Sequence, residues 1–168
     1  MRFLRNTLPL LGLMVLPLAL SGQESADITA RANVLERIAV MNQNDLDFGD
    51  VIPGFSSTVA PDDPSAGRFL VTGASGLEFS IDFVLPPALA RDGGGATLPL
   101  TFGAGSAGVG PTSLDVASTF DPTGAFTSNL NGSGERFIFL GGSVTADAAQ
   151  LDGTYSGTVT LNVAYTGS

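Results

Sequence analysis

Carboxylate pairs are the main chemistry this sequence leaves open. Among 168 residues there is no His, no Cys and no Lys, which removes the usual general base, the thiol nucleophile, the Schiff-base amine and the N/S ligands of a zinc site. A Ser or Tyr without a base stays protonated near pH 7, so no ordinary nucleophile and base pair exists. Glu78 and Asp82 are the pair to weigh. They share strand parity with Ser80, and four residues of extended chain put them about 13 Å apart. A glycosidase pair needs about 5–9.5 Å. The expectation is a protein that is not an enzyme and carries no cofactor.

Other strings imitate chemistry. Gly103-Ala-Gly105-Ser-Ala-Gly108 fits the dinucleotide pattern and follows a strand-like Leu98–Phe102, but such a site needs a helix opening at the third glycine. Val109-Gly110-Pro111-Thr112 comes next instead, so a flexible loop is expected. Thr72–Gly76 resembles a dehydrogenase glycine turn, yet Leu77–Val84 after it reads as a strand, making it a hairpin turn. Asn44, Asp45, Asp47 and Asp50, with Asp62 and Asp63, are rich in oxygen. EF-hand spacing is absent from them, and a solvated turn accounts for them as well as Ca²⁺ would. Asn131-Gly-Ser133 is a formal glycosylation sequon.

The charge balance narrows the partners. Seven Arg stand against 16 Asp and Glu, a net charge of −9, with the acids scattered along the chain. Phosphate backbones and anionic headgroups are recruited by clustered cations, so nucleic-acid binding is not expected. Residues 1–22 have Arg2 and Arg5, an apolar stretch Leu8–Leu20 containing Pro9 and Pro17, and a small-residue exit at Ser21-Gly22. This is the layout of a secretory signal peptide; a membrane span would need about 20 apolar residues. Cleavage there leaves five Arg and a net charge of −11. The expected location is the periplasm and then the cell surface or an extracellular filament, with no membrane span after cleavage.

The rest of the chain reads as strands. With 22 Gly and 10 Pro, apolar runs of period two alternate with turn residues, the pattern of an all-β sandwich. Strands are expected near Ile28–Val34, Leu35–Met41, Leu46–Val51, Arg68–Thr72, Leu77–Val84, Thr97–Phe102, Ser113–Ser118, Arg136–Leu140, Ser143–Ala146 and Thr154–Tyr165. No helical period is sustained, and residues 145–151 are too few to nucleate a helix. The last strand places Tyr155, Gly157, Val159, Leu161, Val163 and Tyr165 on one face and polar residues on the other. Such a strand needs a partner on both sides. Near the other end, Ala26, Ile28, Ala30, Ala32 and Val34 alternate with Ser25, Asp27, Thr29, Arg31 and Asn33, and the alternation slips at Val34-Leu35. The slip marks either a boundary between a detachable strand and the domain body, 35–168, or a bulge in an ordinary first strand.

Several stretches together resemble a known family: Ala32–Leu35, Leu46-Asp-Phe-Gly49, Val51-Ile-Pro-Gly54, Arg68–Gly73, Leu140–Thr145 and Gly153–Tyr165. In this order they are similar to the exported bacterial domain of unknown function 4402. That family is itself similar to spore-coat-protein-U and archaic chaperone–usher pilin domains. The resemblance implies an immunoglobulin-like sandwich lacking its final strand, which polymerises head to tail when one subunit's N-terminal segment fills the next subunit's groove. The implied donor residues are Ala26, Ile28, Ala30, Ala32 and Val34, and the implied acceptor residues are Tyr155, Val159, Leu161, Val163 and Tyr165. A periplasmic chaperone and an outer-membrane usher are implied partners. The pilin relatives often carry a disulfide, and this chain has no Cys. The alternative function is a monomeric sandwich that binds carbohydrate or another surface ligand through its loops, with Ca²⁺. Against it, the chain has no Trp and two Tyr, and its 11 Phe lie mostly in strand patterns, leaving few rings on which a sugar could stack.

Overall fold

Side chains at alternate positions of an extended strand face opposite ways, and the segment Glu78–Val84 shows the result: Phe79 and Ile81 are buried while Glu78 and Asp82 face water. The computed structural model describes residues 24–167, and within them all regular structure is β. The expected export signal lies outside the described residues. The chain divides between Asn33 and Val34 into two units. In the first, residues 24–33 form no strand and are exposed. The second unit is an all-β sandwich of antiparallel sheets.

One sheet runs β1 (Ala39–Asn44), β3 (Gly67–Thr72), β10 (Glu135–Leu140), β7 (Ala107–Gly110), β8 (Ser118–Phe120). A second runs β12 (Tyr155–Ser156), β5 (Ala88–Arg91), β6 (Thr97–Thr101), β11 (Gly142–Thr145), β2 (Ser56–Val59). The third has β4 (Glu78–Val84) between β13 (Thr160–Tyr165) and β9 (Phe126–Asn129). Its register sets Leu161 opposite Phe83, Val163 opposite Ile81 and Tyr165 opposite Phe79.

Two clusters hold the sheets together. Val71, Ile138, Leu140 and Val109 of the first sheet pack with Phe79, Ile81 and Leu161 of the third. Leu98 and Leu100 of β6 pack with Val144 and Ala146, with Phe48, Val51, Leu89 and Tyr155 against them. Each fully buried Leu, Ile, Val or Phe contributes about 1.5–3 kcal/mol by leaving water. Pro99 sits on the exposed side of β6. Having no N–H to donate, it limits the β6–β11 ladder to Leu100 and Thr101.

Several strand expectations need correction. Ile28–Val34 joins no ladder, and the strand expected at Leu35–Met41 begins at Ala39 and runs to Asn44. Leu46–Val51 is a loop, from whose irregular backbone Leu46, Phe48 and Val51 pack, partly buried, against the core. Ser113–Ser118 is also irregular, with strands on either side of it at Ala107–Gly110 and Ser118–Phe120. Thr154–Tyr165 is not continuous: Tyr155 and Ser156 pair with β5, whereas Thr160–Tyr165 pair with β4 in another sheet. Sheet changes recur. β10 passes into β11 through Gly141, and the Asp121–Ala125 turn carries β8 into β9, with Phe120 and Phe126 stacked at 4.0 Å.

At Gly141 a Cβ would run into the backbone carbonyl of Val59, and a backbone atom cannot rotate away. Gly141→Ala should therefore cost about 1–3 kcal/mol of stability, seen as a lower urea midpoint at unchanged slope. In the β8–β9 turn, the Thr123 hydroxyl and then the Thr123 amide donate to Asp121 and hold its carboxyl below the ordinary aspartate range. Stabilisation from this group is complete above the ordinary aspartate pKa and disappears as pH falls through the lowered folded value. An NMR titration should place the Asp121 midpoint low in the native chain and closer to the ordinary value in Thr123→Ala, which keeps only the amide.

Candidate functional site

Two edge strands meet at the side of the sandwich. Among the described residues, β1 ends the first sheet and is paired only with β3, and β13 ends the third and is paired only with β4. The two approach one another, and at one end a single side chain joins them. The Tyr165 hydroxyl donates to the Glu36 carbonyl at 2.9 Å and accepts from the Ala74 amide at 2.7 Å. Gly73 lets the ring in, since a Cβ there would collide with that hydroxyl. This closed end ties the root of β1 to the last residue of β13.

At the other end of β1 a groove of about 500 Å³ separates Asn42 and Asn44 from Tyr155, Gly157, Thr158 and Val159. Phe69, Leu89, Leu100 and Leu140 form its apolar floor, and Asp45 and the two Asn line it with polar groups. The groove exists because the chain leaves β12 in one sheet and enters β13 in another, so residues 157–159 lie between the two ladders. Close packing fixes that crossing: a Cβ on Gly157 would come within 2.9 Å of Leu89 Cδ2.

A second depression of about 480 Å³ adjoins the first, with Leu46, Phe48, Leu89 and Tyr155 lining both. Val51, Pro53 and Leu151 line it, together with Asp47, Asp50 and Asp152. Its shape is held by hydrogen bonds. The Asp47 carboxylate accepts from the Gly49 amide at 2.9 Å, and Gly49 takes φ of 63°, a value that glycine reaches at little cost. Tyr155 donates to the Leu151 carbonyl at 2.7 Å and accepts from Gln150 Nε2.

The proposed acceptor residues divide between groove and core. Tyr155 and Val159 line the groove. Leu161 is buried, and Val163 and Tyr165 pack against the same cluster rather than facing the groove. Ala26, Ile28, Ala30, Ala32 and Val34 are exposed, with Ile28 at 96% and Val34 at 92%. The floor residues Phe69, Leu89, Leu100 and Leu140 escaped the sequence reading because they come from four different strands. The one available signal was the Leu46-Asp-Phe-Gly49 string, whose two apolar side chains form a wall of both depressions.

The oxygen-rich strings are used locally. Asp47 caps its own turn, and Asp63 accepts from the Ser65 amide at 2.8 Å. Among the described residues no three acidic side chains converge as a metal site would require. The glycine string is structural too: Gly105 takes positive φ in a turn, and Gly108 lies in β7, where a Cβ would come within 2.6 Å of Val116. An open groove with an apolar floor beside the free edge of β1 can accept an extended polypeptide. The edge supplies ladder hydrogen bonds, and the floor supplies pockets for alternate side chains.

Over residues 38–165 the sequence matches the family described as Domain of unknown function (DUF4402). No curated protein matches it.

Tyr165→Phe removes both hydrogen bonds at the closed end. It should cost about 1–2 kcal/mol and raise the hydrogen-exchange rate of the Ala74 amide, while amides in the β3–β10 ladder keep their protection.

Proposed function

The chain belongs to the DUF4402 family, which is described without an activity, and we propose that it is an exported structural subunit that polymerises by strand exchange. In this reading Ala26–Val34 of one subunit lies in the groove of the next, beside the C-terminal segment. One observation carries the reading: a groove with an apolar floor, walled by the free edge of β1 and by residues 157–159 and covered by none of the described residues, occurs in the same chain as nine residues of unbroken alternation whose apolar side chains are all exposed. Each half lacks what the other supplies. The inserted backbone would satisfy the open strand edges, and Ile28 and Val34 would each contribute about 1.5–3 kcal/mol on burial. A contact between different surfaces of successive copies does not close on itself, so it propagates as a filament.

The test uses residues 23–168 with and without Ile28→Asp, and a synthetic peptide of residues 23–34. The unsubstituted chain should form filaments visible by electron microscopy. Ile28→Asp should remain a folded monomer by size exclusion and circular dichroism, because Ile28 is not part of the core, and it should still bind the peptide. Filaments from Ile28→Asp as abundant as those of the parent chain would refute the proposal. So would a folded Ile28→Asp monomer that ignores the peptide, together with a parent chain that stays monomeric.

A further inference from the structure

Beside the second depression, where the chain continues past the far end of β1, three large apolar side chains stand in water. Ile52 is 67% exposed, Phe55 66% and Leu151 49%. They are held on a well-bonded frame. The Phe55 amide donates to the Ile52 carbonyl at 3.0 Å, the Gly54 amide donates to the Ala146 and Asp147 carbonyls, and the Ala146 amide donates back to the Phe55 carbonyl at 3.0 Å. Gly54 takes φ of 85° to make this turn. Leu151 and the chain neighbours Val51 and Pro53 line the second depression, which adjoins the groove at Leu46, Phe48, Leu89 and Tyr155.

We propose that Ile52, Phe55 and Leu151 seat the body of the neighbouring copy whose N-terminal segment occupies the groove. This inference rests on the strand-exchange reading and specifies its geometry. The argument comes from chain length. The donor pattern ends at Val34, and the domain is already tied down at Glu36 through Tyr165. Two residues of extended chain span about 7 Å, so a donating body must abut the acceptor at whichever end of the groove Val34 leaves. The Tyr165 end is closed by the acceptor's own Glu36 and Ala74. Val34 therefore leaves at the other end, on the side of the groove where the chain runs on from Asn44 through Leu46 and Phe48 to the second depression and the patch beside it. The donor strand then runs antiparallel to β13, with Ala26 toward Tyr165. The residue after Val34 is Leu35, apolar and 46% exposed, placed by the same short connection to meet Ile52 and Phe55. A slip in the alternation at Val34-Leu35 is what this junction requires: Val34 belongs to the strand in the groove, and Leu35 belongs to the contact between bodies.

Two measurements test it. The double variant Ile52→Asp/Phe55→Asp, in residues 23–168, should bind the 23–34 peptide as tightly as Ile28→Asp does, because that peptide ends before Leu35. Its filament growth should be slower by about tenfold or more, as expected when the centre of a contact is lost. Normal growth would overturn the seat while leaving strand exchange standing. Loss of peptide binding in a folded double variant would also overturn it, because the patch would then belong to the groove itself. Failure of the parent chain to bind the peptide or to polymerise would overturn both proposals. Since the chain has no Cys, a mixture of Leu35→Cys and Ile52→Cys chains offers one thiol each. Mild oxidation should join unlike chains into a disulfide-linked dimer in preference to like chains. A random mixture of dimers, or none under conditions where filaments form, would count against the proposed junction.

Discussion

A strand can be hydrogen-bonded within only one sheet at a time, and this chain changes sheet repeatedly between consecutive strands; three of these crossings frame the groove and its surroundings. β8 turns into β9 at Asp121–Ala125, β10 bends into β11 at Gly141, and β12 crosses to β13 through residues 157–159. Such crossings make the corners of a sandwich. The first two are covered, by the Phe120–Phe126 stack and by the close approach of Gly141 to Val59. The third is not, and its consequence is the groove. Because residues 157–159 belong to no ladder, the floor made by Phe69, Leu100 and Leu140 has a wall of loop on one side and the free edge of β1 on the other. Closure by Tyr165 at one end gives the gap a direction.

The parts of the fold that were legible from sequence are those with the simplest local rule. Period-two alternation located β4, β6 and β11, because each buries one face and leaves the other more open, and the apolar runs of β3 and β10 were found although both of their faces are largely covered. It failed where glycines or loops do the burying. All four residues of β7 are buried, since Gly108 and Gly110 lie under the loop containing Asp115 and Val116, and a buried run with two glycines looks like a turn. Leu46, Phe48 and Val51 showed the opposite error: apolar spacing suggested a strand, yet the side chains reach the core from a loop tied down by Asp47 and Gly49. The long final strand was misread for a third reason. Tyr155–Tyr165 keeps perfect parity across the crossing, and parity does not reveal that the hydrogen-bonding partner has changed from β5 to β4.

The site was legible only in outline for a related reason. Alternation identified the apolar row from Ala26 to Val34 and the parity of the C-terminal face, but a groove is a relation among strands far apart in sequence. Its floor draws one or two residues each from β3, β5, β6 and β10, none conspicuous in its own segment. Tyr165 illustrates the difference. In sequence it is the last apolar residue of a regular strand; in the fold its hydroxyl joins Glu36 to Ala74, and that polar tip gives the groove its closed end.

β4 must also wait for β13, which arrives some 80 residues later in the chain, and β3 must wait for β10. Pairings this distant carry a loop-closure cost before they return any stabilisation, and domains built from them fold slowly. A nascent chain is therefore left for an extended interval with Phe79 and Ile81 uncovered and the edges of β3 and β4 unpaired. In that interval, at high local concentration, the commonest competitor for those edges is a strand from another unfinished chain. The late pairing that shapes the groove thus also sets a kinetic hazard: how fast the domain is finished decides whether copies meet as completed bodies or as tangled intermediates.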